Sequence, residues 1–415
     1  MRWLFKNIIF VYTFDITSSF FYPESLNNKR ILMNGPNNGM QTNSKETGFD
    51  GNGIVTSVVF KDNNITISEV SMPKSNSLTF PLSDFLERNY FNLFSKMLYS
   101  FFVRKNLQSG TRNTVVLKYK NCYYATEETC RPLKLHFDNN ENIQINCKSK
   151  TIERMGAHMI EDNTIMSYKG QDKYPIRINN TYSIPWTPNK YPVLVHDGIK
   201  TKDDKSYIFP ITSTGVGKMN DYFKRKIKLP FDSKLNKAGW LVYDINTNNC
   251  TELWMDEYAD IFHLSYIEEL SDGIHKIYSS FVYNFTEWLN DKEVELGIFL
   301  KEVTINMKNM EIIKVHNTGL RMDFVNEYKG YLIGSSLTKK PKAIFYNIET
   351  KEKFDLEIPG SEVREMLPYK GMLIYFSHEE NLTKTFLYVV SMFKAQIINK
   401  IEVPNRPPGA HTTMF

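Results

Sequence analysis

Histidine is the residue type most able to do chemistry in this chain of 415 residues, which carries eight of them. Four share a local character. His158, His196, His263 and His411 lie in GAHMI, LVHDG, IFHLS and GAHTT, each beside an apolar or small neighbour. His136, His275, His316 and His378 lie in mostly polar, turn-like surroundings. Taken singly, an imidazole in apolar surroundings is more often a packed core ring than a metal ligand. The separations are far too large for a local metal motif, so the four rings meet only if the fold carries one residue per module to a common axis. A β-propeller does this. The last ring closes NRPPGAHTTMF (Asn405–Phe415), a stiff proline-glycine knuckle with almost nothing after it. That segment is either a loose tail or a chain end that exists to deliver one imidazole. P-loop, GxGxxG, GxSxG and HExxH patterns are missing from the sequence, which removes the mechanisms they carry.

The elements available to position those rings are short β-rich runs separated by Asn, Asp, Gly and Lys. Val58–Val70, Leu117–Glu128, Trp240–Leu253, Ala343–Ile358 and Phe386–Val403 each alternate, turn and alternate again, which predicts hairpins. The last two start 43 residues apart, near the period of a propeller blade. This favours a closed or radial all-β architecture over alternating βα units. One segment differs. Asn89–Asn106 predicts a helix with Asn92, Lys96 and Ser100 on a narrow polar stripe, and with Phe91, Phe94, Met97, Leu98, Phe101 and Phe102 covering most of the rest. Such a face is either buried against the sheets or dips into a bilayer with Arg104 and Lys105 at the headgroups.

Bulk properties narrow the class. Hydrophobic residues make up 41% of the chain and aromatic residues 14%, enough for a sizeable core. A net charge of +5 with dispersed Lys and Arg predicts no nucleic-acid partner, and suits weak attraction to an anionic membrane surface. Cys122, Cys130, Cys147 and Cys250 form no CxxC pair and read as reduced thiols of a cytosolic protein. Five Asn-x-Thr sequons, at Asn64, Asn179, Asn249, Asn284 and Asn381, are matched by chance in so Asn-rich a chain. The first 21 residues read as an N-terminal extension, signal-like in its first half. Asp15 interrupts its apolar run from Ile8 to Phe14, and no small-residue cleavage site follows. The expectation is a cytoplasmic, peripherally membrane-associated protein, with secretion as the alternative.

Specific motifs then carry a resemblance. YPESLNNKRILMNGPNNG (Tyr22–Gly39) followed by FDGNGIVTSVVFKD (Phe49–Asp62) resembles the opening of the carotenoid cleavage oxygenases, the superfamily that includes the retinoid isomerohydrolase of the visual cycle. NTVVLKYKNCYYATEET matches that family's stretch ending in an orienting glutamate, here Glu128. GAHMIEDNT, VLVHDGIKT, IFHLSYIEEL and RPPGAHTT match its four histidine motifs in order. The resemblance implies a seven-bladed β-propeller over residues 22–415, with a helical and loop cap above an apolar tunnel. It implies that His158, His196, His263 and His411 bind ferrous iron, Fe(2+), and that residues 82–106 are a membrane-docking insertion. Four neutral imidazoles suit a borderline transition metal and leave its charge undiminished, whereas a structural zinc site favours cysteines in a closed tetrahedron.

The match has departures. The family orients three of its histidines with glutamates, of which Glu128 supplies one. The segment for the second falls on RMDFVN (Arg321–Asn326), where Arg321 takes the acidic position and Asp323 substitutes only after a small backbone shift. The third falls near LPYKG (Leu367–Gly371), where Pro368 stands, with Glu365 nearby but out of register. Gly198 replaces an aromatic residue. Thr114 falls where members place a residue near an open iron position, and reads equally as a β-branched strand residue. The expected function is Fe(II)-dependent cleavage by O2 of a conjugated C=C bond in a carotenoid, apocarotenoid or similar lipophilic polyene. The alternatives are a retinoid-type isomerohydrolase and a member that binds iron or lipophile without turnover.

Overall fold

A computed structural model describes residues 11–14, 22–36, 53–72, 114–126, 132–146, 155–156, 158–161, 164–168, 173–179, 182–190, 192, 195–217, 219–227, 231–271, 273–290, 294–336, 340–379, 384–394, 396–404 and 411–415. They form a seven-bladed β-propeller of antiparallel sheets. In chain order, the first blade is Val115–Tyr119, Cys122–Thr126, Leu133–Phe137 and Ile143–Ile145. The second is Met159–Glu161, Thr164–Tyr168, Ile176–Ile178 and Tyr182–Ser183. The third is Ile199–Lys200, Ser206–Ile211, Gly239–Asp244 and Asn249–Trp254. The fourth is Asp260–Ser271, Ile274–Tyr283, Gly297–Asn306 and Glu311–Asn317. The fifth is Asp323–Tyr328, Tyr331–Ser335, Lys342–Asn347 and Lys353–Glu357. The sixth is Leu367–Tyr369, Met372–His378, Thr385–Ser391 and Ile397–Val403.

The seventh blade joins the two ends of the chain. His411–Met414 pairs with Lys29–Pro36, followed outward by Gly53–Lys61, Asn64–Ser71 and Val11–Phe14. In that closure Ile31 faces Met414 and Asn34 faces His411. The first 21 residues, expected to lie outside the propeller, thus contribute an outermost strand through Val11–Phe14.

The expected hairpins form for local reasons. Asp62 and Asn63 both take positive φ, as do Lys120 and Asn121. Two such residues in succession give a turn whose twist matches the flanking strands, and after Gly it is Asn and Asp that tolerate that region best. The core is divided rather than central. Seven apolar clusters each fill one seam between adjacent blades, for example Trp240 and Ile208 against Phe281 and Ile277 between the third and fourth. Each fully buried aliphatic side chain contributes about 1.5–3 kcal/mol. Blades covered on both faces explain why Gly53–Lys61 is buried at every position but its last.

Additions to the plain propeller emerge at the end where the first strands begin. Between the second and third strands of the third blade lie the hairpin Gly215–Val216/Phe231–Asp232 and the helix Met219–Phe223. The helix Phe285–Asn290 leaves the fourth blade at the same end. A buried knot joins them. Thr214 donates its N–H (2.8 Å) and hydroxyl (2.6 Å) to Asp260, and its Oγ1 lies 3.2 Å from Thr286 Oγ1. These are the cap elements among the described residues. No helix among those residues is long and apolar enough to cross a membrane. Residues 82–106, with Phe91, Phe94, Met97, Leu98, Phe101 and Phe102, lie outside the described residues, as does the knuckle 405–410. Cys122 and Cys250 are both free.

Candidate metal centre

Four blades each send one imidazole to the propeller axis from the start of an innermost strand. His158 directly precedes Met159–Glu161, and His196 stands three residues before Ile199–Lys200. His263 lies near the start of Asp260–Ser271, and His411 opens the closing strand. One ring nitrogen from each lies within 4.8 Å of the others. Ring centroids are 4.7 Å apart for His158 and His411, 5.1 Å for His196 and His263, and 6.0 Å for His196 and His411. His158 Nε2 and His196 Nε2 approach to 3.2 Å. The chain end therefore delivers a ring, and the loose-tail reading of the last residues does not hold: His411 is 3% exposed.

Carboxylates fix the far side of two rings. Asp323 Oδ1 lies 3.0 Å from His263 Nδ1, and Glu365 Oε2 lies 3.1 Å from His411 Nδ1. An ionised carboxylate only accepts, so each imidazole donates from Nδ1 and keeps its Nε2 lone pair for the centre. His263 Nε2 is buried and has no hydrogen-bond partner. A buried acceptor without a donor is costly, and here it faces three other ring nitrogens. That donor set fits a transition ion.

Burial and the neighbouring carboxylates pull the rings in opposite directions. Burial, then the other three rings, holds His158 well below the ordinary imidazole range. Burial also lowers His411, with Glu365 opposing it. Burial alone would lower His263, but Asp323, with Asp197 and Glu365 adding to it, lifts the ring above its usual value. Asp323, pushed up by burial, is brought below its ordinary value by His263.

Sequence and structure differ on the orienting acids. Arg321, at the position expected to be acidic, points away and pairs with Glu295 on the surface. Asp323 reaches His263 because the strand bulges: register shifts between Asp323 and Asn326, and Phe324 takes φ +50°. The third acid is not missing at Pro368. Glu365, out of register by sequence, reaches His411 from the irregular segment before Leu367–Tyr369 and also accepts the Thr412 N–H at 2.9 Å. Glu128 lies outside the described residues. Thr114 is half-buried just before Val115–Tyr119, its N–H donating to the Thr126 carbonyl. Asn34, across from His411 in the seventh blade, ties its own strand, Lys29–Pro36, to the first blade by donating to the Val115 carbonyl at 3.1 Å.

Two further features escaped the sequence reading. Asp197 accepts the Gly198 N–H at 2.7 Å and the Leu264 N–H at 2.8 Å, locking together the backbones that follow His196 and His263. The DG pair in the histidine motif was the available signal. Phe324 packs 4.8 Å from His263 and 5.4 Å from His411, and Phe262 packs 6.2 Å from His196. These rings give the centre an apolar surround.

Cobalt-substituted Synechocystis apocarotenoid oxygenase matches with a TM-score of 0.67 at 12% identity, covering 99% of this chain and 96% of that one. The fold is that of the carotenoid cleavage oxygenases. A chimera of apocarotenoid oxygenase and RPE65 gives a TM-score of 0.70 at 12% identity over 99% and 96%. Lignostilbene dioxygenase of Pseudomonas brassicacearum gives 0.67 at 14% identity over 98% and 95%. No family model and no curated protein sequence matches the chain. The carotenoid cleavage oxygenase fold thus accounts for nearly the whole chain.

Proposed function

We propose that this protein is a non-haem Fe(II)-dependent oxygenase that cleaves a conjugated C=C bond of a carotenoid, apocarotenoid or similar lipophilic polyene. The observation that carries the reading is the convergence of His158, His196, His263 and His411, with the buried Nε2 of His263 unpaired. The likeness to the structures of apocarotenoid oxygenase and lignostilbene dioxygenase supports it.

In this reading the four imidazoles hold iron as neutral ligands, and Asp323 and Glu365 fix two of the rings from behind. Iron held there supplies open coordination positions and the one-electron chemistry that the reaction of dioxygen with an alkene requires. The double bond breaks, each of its carbons takes one oxygen atom of O2, and two carbonyl products form. No side chain is needed as acid or base. The protein's work is to position the polyene, exclude water and set the metal's environment. Phe324 and Phe262 supply apolar walls beside the rings. The segment 82–106 docks on a membrane surface, from which a lipophilic substrate would enter.

The test is to purify the chain without chelators, measure its metal, and incubate it with a panel of polyenes with and without air. About one iron per chain and oxygen-dependent loss of polyene absorbance with two carbonyl products is the expected result. Conversion without oxygen would favour isomerisation coupled to ester cleavage. Tight binding without product under either atmosphere would leave a lipophile-binding protein.

A further inference from the structure

Outside the axial centre, the seam between the third and fourth blades brings together Asp203, Glu269 and His275. One oxygen from each carboxylate and one nitrogen from the ring lie within 4.8 Å of one another. Asp203 sits in the tight turn between the first two strands of the third blade. There Thr201 Oγ1 donates to its Oδ1 at 2.6 Å, and the Lys205 N–H donates to the same oxygen at 3.2 Å. Glu269 and His275 face each other across the first hairpin of the fourth blade. The three groups are thus held by backbone already fixed in the fold.

Carboxylates near a histidine are common, so the histidine has to decide. His275, placed among polar, turn-like histidines by its sequence context, is in fact 1% exposed. Its Nδ1 is fully buried, and among the described residues neither ring nitrogen makes a hydrogen bond. Buried polar groups are almost always satisfied, and an imidazole has two to satisfy. Burial, opposed by Glu269 and Asp203, lowers its basicity and favours the neutral ring. A neutral ring carries one lone pair, and one of its nitrogens lies within 4.8 Å of an oxygen of each carboxylate.

We propose that Asp203, Glu269 and His275 form a second metal-binding site, for a divalent transition ion of the zinc type, that clasps the third blade to the fourth. One imidazole and two carboxylates, with water in the fourth position, match the donors zinc accepts. The buried ring nitrogen disfavours magnesium and calcium, which take oxygen ligands. Glu269 is exposed, so the site has an open side through which an ion enters. Lys205 Nζ lies 3.3 Å from Asp203 Oδ2, so an ammonium group now holds part of the position. Its side chain is 59% exposed and free to swing into solvent. The axial centre is elsewhere: Glu269 lies six residues beyond His263 on one strand, about 20 Å at the usual rise per residue.

Iron-loaded protein titrated with zinc should bind a second metal, counted by elemental analysis after dialysis and followed by calorimetry. His275→Gln and Asp203→Asn should weaken zinc binding at least ~10-fold while leaving the iron content unchanged. Lys205→Ala should tighten it, because no ammonium has to leave. If His275→Gln does not fold, Glu269→Gln on the exposed side serves in its place. Zinc uptake that is absent from the natural chain, or undiminished in these variants, would overturn the proposal. The readout is the difference of one equivalent between natural and variant chains, so it stands whichever metal the axial imidazoles hold.

Discussion

Asp323 Oδ1 lies 3.0 Å from His263 Nδ1, on a strand whose register slips just beyond it. The bulge brings an aspartate, shorter than a glutamate by one methylene, to the place from which it can orient the ring. Phe324, at φ +50°, bears the strain of the turn and lays its own ring against His263 and His411. One irregular step in the backbone thus supplies both an anchor and an apolar wall.

Asp323→Asn should therefore lower iron affinity by ~10–100-fold, the usual effect of losing a charged partner behind a ligand. Glu365→Gln should do the same at His411, where the carboxylate also holds the Thr412 N–H. Competition with a graded chelator, read as iron retained, measures both. Retention equal to that of the natural chain would show that these carboxylates do not tune the centre.

The histidines were legible through their motifs, and the hairpins through alternation and turn chemistry. Asp62–Asn63 and Lys120–Asn121 are local signals with local consequences. Asp323 and Glu365 were less so, because their positions depend on a bulge and on a segment without regular structure, and neither leaves a spacing in the sequence. His275 and His378 read as polar-turn residues, yet are 1% and 5% exposed, because neighbouring blades cover what a single strand would leave open. Burial imposed from another blade cannot be read from a residue's own neighbours.

Asp260 makes the stability depend on pH in a definite direction. Burial pushes its carboxyl up to about 6, against an ordinary 3.8, despite the bonds from Thr214. Because the folded pKa is the higher one, the stabilisation from protonation is complete below about pH 3.8 and lost as pH rises through about 6. Asp260→Asn stays neutral throughout. The stability of the natural chain relative to this variant should rise by about 1 kcal/mol between pH 7 and pH 5. Urea denaturation at the two pH values measures it, and a difference that stays flat would mean that Asp260 keeps its ordinary pKa.

In the sequence Phe91, Phe94, Met97, Leu98, Phe101 and Phe102 recur at helical spacing, the pattern of a face that docks on a bilayer. Phe94→Glu combined with Phe101→Glu places two charges on that face. The variant should no longer sediment with anionic liposomes, while its metal content stays as before. Unchanged sedimentation would return the segment to the alternative of a helix packed against the sheets.

His411 serves two ends that experiment can separate. As a ring it faces the axis; as a backbone residue it begins the strand that pairs with Lys29–Pro36 and closes the propeller. That closure extends to Phe415, whose N–H and carbonyl both bond to Arg30. His411→Ala keeps every one of these ladder bonds and should lose iron while the propeller unfolds near its usual temperature. Removing residues 411–415 also opens the ring, at a cost of about 1 kcal/mol for each ladder hydrogen bond lost, and uncovers Ile31, Leu32 and Met33, all fully buried in the intact fold. The truncated chain should lose both iron and several degrees of melting temperature. Calorimetric unfolding beside metal analysis distinguishes the two variants. Equal melting temperatures for both would show that the last strand is dispensable to the fold and is retained for its imidazole alone.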